Sequence, residues 1–273
     1  MYMPGSKPIL CGSIAGKIGG LGVVMHNRAY QKAGLEAVYV SFEPTGAKEA
    51  VEAMRNLGIR GMGVTMPYKT EIMEYLDEID ETAAAIGAVN TIVNDQGKLT
   101  GYNTDYRGAI DGLLEETGLR DKKVALFGSG GVGRAILYGL LKEGARVTVY
   151  NVLPEQAEAL CREMGAQFGG LPGAFDKNAG WDVLINATPV GNQSSETLLM
   201  AEEFPPGIVV LDVVFNPIHT TFAAEALKAG CRVVRGTKML ILQAIAQDEL
   251  YLGIRPDYDV MEQALIEKFG GIG

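Results

Sequence analysis

Histidine and cysteine are scarce in this chain of 273 residues: two of the first, His26 and His219, and three of the second, Cys11, Cys161 and Cys231. No ligand spacing of a zinc site can be assembled from them, so no metal is expected. An odd, scattered set of cysteines among apolar neighbours argues against a disulfide framework and predicts three buried, reduced thiols in a cytoplasmic protein. Basic charge is short as well, with 24 Lys and Arg against 33 Asp and Glu and a formal net charge of −9. Nucleic acid and anionic membrane surfaces both call for a basic stripe, and neither is an expected partner. No run approaches the ~20 apolar residues of a membrane span. The opening MYMPGSKPIL lacks the cationic-then-apolar order of a secretory leader. Repeats and proline- or serine-rich linkers are missing too.

What is abundant is apolar surface, 47% of residues, and glycine, 36 in all, about twice the ~7% usual in proteins. Glycine in such excess serves tight turns and loops that let a backbone approach a ligand. Strands read at 8–13, 36–42, 60–66 and 89–94, with a further short one ending near Tyr102. Helices read at 23–33 and 46–57, and a broken helix at 68–86. A glycine-dense loop runs from Gly16 to Gly22. Alternating strands and helices with short connections predict an α/β fold with a largely parallel sheet.

From Lys122 onward the pattern sharpens. KVALFGSGGVGRAILYGLLKEGARVTVYN reads as strand, glycine turn, helix, glycine stop and strand, followed by apolar strands at 182–186, 208–213 and 232–234. Two helices, 238–252 and 258–269, close the chain. The segment Gly128-Ser129-Gly130-Gly131-Val132-Gly133 is a G-x-G-x-x-G turn placed between an apolar strand and an amphipathic helix, the context in which that motif binds a dinucleotide. Gly128 permits the tight turn, Gly130 the close approach of pyrophosphate, and Gly133 the packing of helix on strand, with the phosphates at the helix N-terminus. At the next strand tip stand Asn151, Val152 and Leu153, then Glu155. No cation there clamps a ribose phosphate, so NAD is favoured over NADP.

Three further segments bear chemistry: Val64-Thr65-Met66-Pro67-Tyr68-Lys69, Ala88-Val89-Asn90-Thr91-Ile92 and Asn103-Thr104-Asp105. Singly they are a strand end, a buried strand and a helix cap. In this order, ahead of a dinucleotide turn, they resemble the shikimate/quinate dehydrogenase family, with its V-T-x-P-[FY]-K, G-A-V-N-T and N-T-D signatures. The resemblance continues through Asn186-Ala187-Thr188-Pro189-Val190-Gly191 and Gly236-Thr237-Lys238-Met239-Leu240 to Gln243. It implies an N-terminal α/β substrate domain (1–105, completed by 237–273), a Rossmann doubly wound dinucleotide-binding domain (106–236) and a cleft between them. It implies Lys69 and Asp105 as the catalytic pair, in reversible hydride transfer between NAD(P) and a ring hydroxyl or ketone. A lysine titrates near ~10.4 in water, so a lysine base at neutral pH needs desolvation. The resemblance also places Thr65, Asn90 and Gln243 on substrate hydroxyls. It adds Thr188, Pro189, Val190, Val213 and the backbone of Gly236 to the cofactor side. A monomer or homodimer is expected.

Departures from the family's pattern cluster where its substrate carboxylate is held. The S-x-S hydroxyls are Gly20 and Gly22 here, the N-V-T asparagine is Gly63, and the tyrosine of D-x-x-Y-N-P is Phe215. Lys238 stands where glycine is usual, and Lys17 lies in the glycine loop. The pattern resembles the shikimate dehydrogenase-like subgroup with an altered carboxylate pocket, and shikimate is expected to be a poor substrate. Other readings are a methylene-tetrahydrofolate-type dehydrogenase and a dinucleotide-binding regulator without turnover.

Overall fold

The computed structural model describes residues 8–269; residues 1–7, most of the segment read for a leader, lie outside them. The chain divides into two compact units, one of residues 1–104 with 243–273 and one of Asp105–Leu242.

The first unit opens with β1 (Ile9–Ile14), α1 (Leu21–Lys32), β2 (Ala37–Phe42), α2 (Ala47–Leu57) and β3 (Gly61–Val64). Helix α1 starts two residues earlier than its glycines suggest. Gly20, at φ 74, turns the chain and Leu21 begins the helix directly. Strand β3 stops at Val64 because the next residues fold into a turn closed by the Tyr68 N–H on the Thr65 carbonyl, 3.0 Å. The segment read as a broken helix is a 3₁₀ turn (Glu71–Tyr75), a two-residue strand β4 (Glu78–Ile79) and α3 (Glu81–Ile86). The break exists because Asp77 and Glu78 leave the helical path to pair with β6 (Lys98–Tyr102), and Asp80 then caps α3 by accepting the Thr82 N–H at 2.9 Å. With β5 (Thr91–Asp95) the sheet order is β2-β1-β3-β5-β6-β4. It is mixed: β1/β2, β1/β3 and β4/β6 are parallel, while β3/β5 and β5/β6 are antiparallel.

The second unit begins at α4 (Asp105–Leu114) and continues with β7 (Lys123–Phe127), α5 (Gly131–Lys142), β8 (Arg146–Tyr150), α6 (Pro154–Met164), β9 (Gln167–Gly170), a 3₁₀ turn (Pro172–Ala174), β10 (Val183–Asn186), a 3₁₀ turn (Ala201–Glu203), β11 (Val209–Asp212), α7 (Thr221–Lys228) and β12 (Arg232–Val234), so that β9, β10 and β11 follow one another without an α-helix between them. Every pairing is parallel, in the order β12-β11-β10-β7-β8-β9. Counted within the unit this is 3-2-1-4-5-6, the doubly wound order of a dinucleotide-binding fold. Its strands are continuous apolar runs because both faces are covered. One face packs Leu113, Ile136, Leu140 and Leu160; the other holds Phe127, Tyr150, Trp181 and Phe222.

Helix α8 (Gly236–Leu252) follows β12, and its residues from Gln243 onward, with α9 (Tyr258–Lys268), belong to the first unit. There Tyr251 joins Cys11, Tyr30, Tyr39 and Val93 on one face of the mixed sheet, while Val51, Met54, Met62 and Ile92 fill the other. Cys11, Cys161 and Cys231 are all buried free thiols. No helix is long and apolar enough to cross a membrane, and no cluster that could hold a metal occurs among the described residues.

Candidate active site

In the second unit, the carboxyl ends of β7 and β10 adjoin, and this is the point where the connections leave in opposite directions, the place where such sheets open a ligand crevice. Gly128 follows β7 at φ 104, and a Cβ on it would lie 2.7 Å from the Ala187 carbonyl oxygen after β10. A side chain at Gly133 would collide with the carbonyl of Gly128, whereas Gly130 and Gly131 face open space. Two glycines therefore serve packing, and two leave the N-terminus of α5 bare for an anionic group. Asn151, after β8, donates to Ser129 Oγ at 2.7 Å and so ties the strand tip to the turn. Thr188, Pro189 and Val190 follow β10, Val213 follows β11 and Gly236 follows β12. Any side chain on Gly236 would collide with the Val214 carbonyl. All the residues read as cofactor-binding thus lie along one carboxyl edge of one sheet.

A buried carboxylate braces that edge. Asp212 accepts from Asn186 Nδ2 (2.9 Å), the Val214 N–H (3.1 Å) and Thr220 Oγ1 (2.5 Å). Burial pushes its pKa up to about 6, and these three donors oppose the rise. Asn186 Oδ1 in turn accepts from the Thr188 N–H and hydroxyl. Around the strand tip, Arg134 is held in a two-pronged ion pair with Glu163.

In the first unit the expected substrate residues also share one edge of a sheet. The glycine loop follows β1, Thr65 to Lys69 follow β3, and Asn90 precedes β5, which runs antiparallel to β3. Asn90 sits at the centre. It donates to Thr104 Oγ1 (3.1 Å) and to Gln243 Oε1 (3.2 Å), and its Oδ1 accepts from the Thr104 N–H and the Thr91 hydroxyl, both at 2.7 Å. Residues 153 apart in sequence are thereby joined. The Lys69 carbonyl accepts the Val89 N–H at 2.8 Å, fixing the backbone that carries its ammonium. Asp105, buried, is the first residue of α4 and of the second unit. Phe215 and Lys238 also belong to the second unit, where the Lys238 ammonium lies 2.5 Å from Glu115.

Behind this edge lies a polar network that the sequence did not reveal. Asp248, fully buried, takes His26 Nδ1 at 2.9 Å and the Tyr30 hydroxyl at 2.6 Å. The His26 ring stacks on Tyr39 with centroids 4.1 Å apart. Gln247 Nε2 donates to Thr91 Oγ1 at 3.2 Å. The available signal was the spacing 243, 247 and 248, polar residues within the apolar middle of α8. His26-Asn27 is structural: the Asn27 amide bridges the Val23 and Tyr39 carbonyls and the Tyr39 N–H, pinning α1 to β2.

The departures have structural counterparts. Gly20 is in the left-handed region, where a serine would be strained. A Cβ on Gly22 would lie 3.3 Å from the Tyr39 ring, and one on Gly63 would lie 3.0 Å from the Tyr39 hydroxyl. A serine at either position therefore meets a cost that glycine avoids, backbone strain at Gly20 and crowding against Tyr39 at Gly22.

Comparison with known proteins places the chain among relatives. The sequence profile of the shikimate dehydrogenase substrate binding domain matches residues 20–92, and that of the shikimate 5'-dehydrogenase C-terminal domain matches 236–266. A protein of Methanocaldococcus jannaschii named shikimate dehydrogenase (NADP(+)) is 40% identical over 261 residues, 90% of this chain and 91% of that one. A shikimate dehydrogenase solved in complex with NADP+ superposes with a TM-score of 0.89 at 36% identity, covering 96% of each chain. A ligand-free 5-ketofructose reductase of a Gluconobacter strain gives a TM-score of 0.88 at 32% identity, covering 97% of this chain and 100% of the other.

Proposed function

This chain belongs to the shikimate dehydrogenase family, and from that premise we propose that it transfers hydride reversibly between NAD(P) and a ring hydroxyl or ketone of shikimate, quinate or a related cyclic polyol. The observation that carries the proposal is the Asn90–Gln243–Thr104 network set on the same sheet edge as Lys69. Residues 1–105 with 237–273 hold the substrate in this reading, and 106–236 hold the dinucleotide. The bare amides of Gly130 and Gly131 fit a pyrophosphate. Ser129, Val132, Thr188, Pro189, Val190, Val213 and Gly236 line the rest. The dinucleotide, when bound, supplies a two-electron hydride acceptor or donor.

The protein's own work is to handle the proton and to orient the ring. On oxidation the substrate C–H bond breaks toward the acceptor. The hydroxyl O–H bond gives its proton to the Lys69 amine, and the carbon–oxygen double bond forms. Reduction runs the same path backward, with the ammonium as acid. Asp105 is the second member of the catalytic pair that the family signatures imply. Thr65, Asn90 and Gln243 contact ring hydroxyls and fix which one reacts.

The test is a screen of cyclic hydroxy acids and polyols followed by nicotinamide absorbance. Lys69→Ala is expected to cut turnover at least ~100-fold while leaving dinucleotide affinity unchanged. A variant that keeps more than a few per cent of the activity removes Lys69 from the role. Asp105→Asn is expected to lower kcat sharply as well, since an amide holds an ammonium less strongly than a carboxylate does.

For the dinucleotide itself, the M. jannaschii relative is named for NADP(+), and that name does not carry the preference for NAD. What supports NAD is the strand tip of this chain. Asn151 is engaged with Ser129, Glu155 follows, and Arg134 is neutralised by Glu163. A lower KM for NAD than for NADP is the expected result; the reverse assigns a ribose-phosphate contact to another basic residue, Arg162 being the next candidate. A monomer or homodimer acting in the cytoplasm completes the proposal.

A further inference from the structure

We propose that Thr91 and Gln247, neither of which meets the ring substrate itself, are positioning residues: the hydrogen-bond chain they begin runs in one direction and obliges Gln243 to face that substrate with its N–H donors. The inference deepens the oxidoreductase reading and rests on its placing of Gln243 against a ring hydroxyl.

An amide side chain can be turned end for end, and only a partner of fixed polarity decides which end faces it. Two backbone groups supply that polarity here. The Thr104 N–H can only donate, and it lies 2.7 Å from Asn90 Oδ1. The Asn90 oxygen is thereby committed to that side, and its Nδ2 is the end that reaches Gln243, 3.2 Å away. A nitrogen donor requires an oxygen, so Gln243 turns Oε1 to Asn90. Nε2 is then the arm of Gln243 left to meet a ring hydroxyl. At the other end the Asn90 carbonyl can only accept, and Gln247 Nε2 lies 3.4 Å from it. The same Nε2 donates to Thr91 Oγ1 at 3.2 Å. With its oxygen so answered, the Thr91 hydroxyl sends its proton to Asn90 Oδ1 at 2.7 Å.

The chain therefore reads Gln247 to Thr91 to Asn90 to Gln243, every step donor to acceptor in the same sense. Such chains polarise along their length, each bond strengthening the next. One donor would leave the Asn90 amide able to swing about a single bond; the two at 2.7 Å, from Thr91 and from the Thr104 N–H, pin it. The chain starts and ends on α8, where residues four apart share a face, so the helix that carries Gln243 also carries the group that orients it. Burial separates the roles. Thr91 and Gln247 are buried, whereas Gln243 is half-buried, open enough to meet a ligand.

The experiment takes Thr91→Val, Thr91→Ser, Gln247→Met and the double variant Thr91→Val/Gln247→Met through steady-state kinetics on the cyclic alcohol that the wild type oxidises. Thr91→Val is expected to raise the KM of that alcohol about tenfold, with the dinucleotide KM unchanged and kcat lowered less than KM is raised. Thr91→Ser keeps the hydroxyl and is expected to return KM to within about twofold of the wild type. Gln247→Met should raise KM by a smaller factor, and the double variant no further than Thr91→Val alone, because both act through one chain. Independently of turnover, the Asn90 side-chain amide protons are followed by nuclear magnetic resonance in the ligand-free protein. Their exchange with solvent is expected to be at least about tenfold faster in Thr91→Val and to slow again in Thr91→Ser. An unmoved alcohol KM, an equal rise in the dinucleotide KM, a rise that Thr91→Ser does not reverse, or additive effects overturn the proposal. If Thr91→Val does not fold, Gln247→Met decides by the same two readouts. If no cyclic alcohol is oxidised, the oxidoreductase reading fails on its own, and the exchange of the Asn90 amide still decides whether Thr91 pins it.

Discussion

Asp212 has its carboxyl raised from 3.8 to about 6 by burial. The folded state therefore holds this proton more tightly than the unfolded chain does. The stability it contributes is complete below about pH 4 and is lost as pH rises through about 6, a total of roughly 3 kcal/mol. Asp212→Asn is expected to remove that part of the slope. Urea unfolding at a series of pH values from 4 to 7 checks it, and parallel wild-type and variant curves refute it. Cys11 offers a second reading at this scale. Burial pushes its thiol up to about 12, so in the native protein it should resist alkylation at pH 8 and react only on unfolding. Single residues were unevenly legible in the sequence. Lys69, Asn90 and Asp105 stand in signatures with a fixed order. The Ser13 and Ser41 hydroxyls, 2.9 Å apart, meet only because register sets β1 and β2 side by side, and register is not written in either strand alone.

The glycine turn before α5 behaves as two kinds of position, although the motif writes all its glycines alike. Gly133→Ala forces a Cβ onto the Gly128 carbonyl and is expected to cost roughly 2–3 kcal/mol of stability. Gly130 has φ −71 and open space around it. Gly130→Ala should leave the melting temperature nearly unchanged and raise the dinucleotide KM about tenfold by crowding the bare amides. Equal melting temperatures for the two variants would refute this division of labour. Elements of the second unit were legible because strand, turn and helix repeat there with apolar strands. The exceptions are β9, where Gln167-Phe168-Gly169-Gly170 carries two glycines and no apolar run, and the links on either side of β10, where a 3₁₀ turn stands in place of an α-helix. In the first unit the two-residue β4 was beyond periodicity, because pairing with β6 and not local propensity makes it a strand.

At the scale of the whole molecule, two families of long-range contact hold the first unit together: its sheet, and the return of α8 and α9 to it. The return rests on Asp248, which meets His26 and Tyr30 from the far end of the sequence. Asp248→Ala strands a buried histidine and a buried phenol and is expected to destabilise by ~3–5 kcal/mol, read as a fall in the urea midpoint. A loss under ~1 kcal/mol would show the network to be dispensable. The two-part organisation was legible from the glycine turn and the signatures around it. The buried acid was not, because a carboxylate on the inward side of a helix breaks the very pattern by which inward sides are recognised.

The same contact sets an order of events at the ribosome. His26 and Asp248 are 222 residues apart, and synthesis at ~5–20 residues per second separates their appearance by about 10–40 s. Throughout that interval the part of the mixed sheet's face that Tyr251 covers, beside Cys11, Tyr39 and Val93, waits uncovered. The second unit is contiguous in sequence but runs to Leu242, so its own last strand and helix start appear only just before Asp248 does. The nascent protein thus carries an open first unit through nearly the whole of its synthesis, and that uncovered patch is where a chaperone would find it.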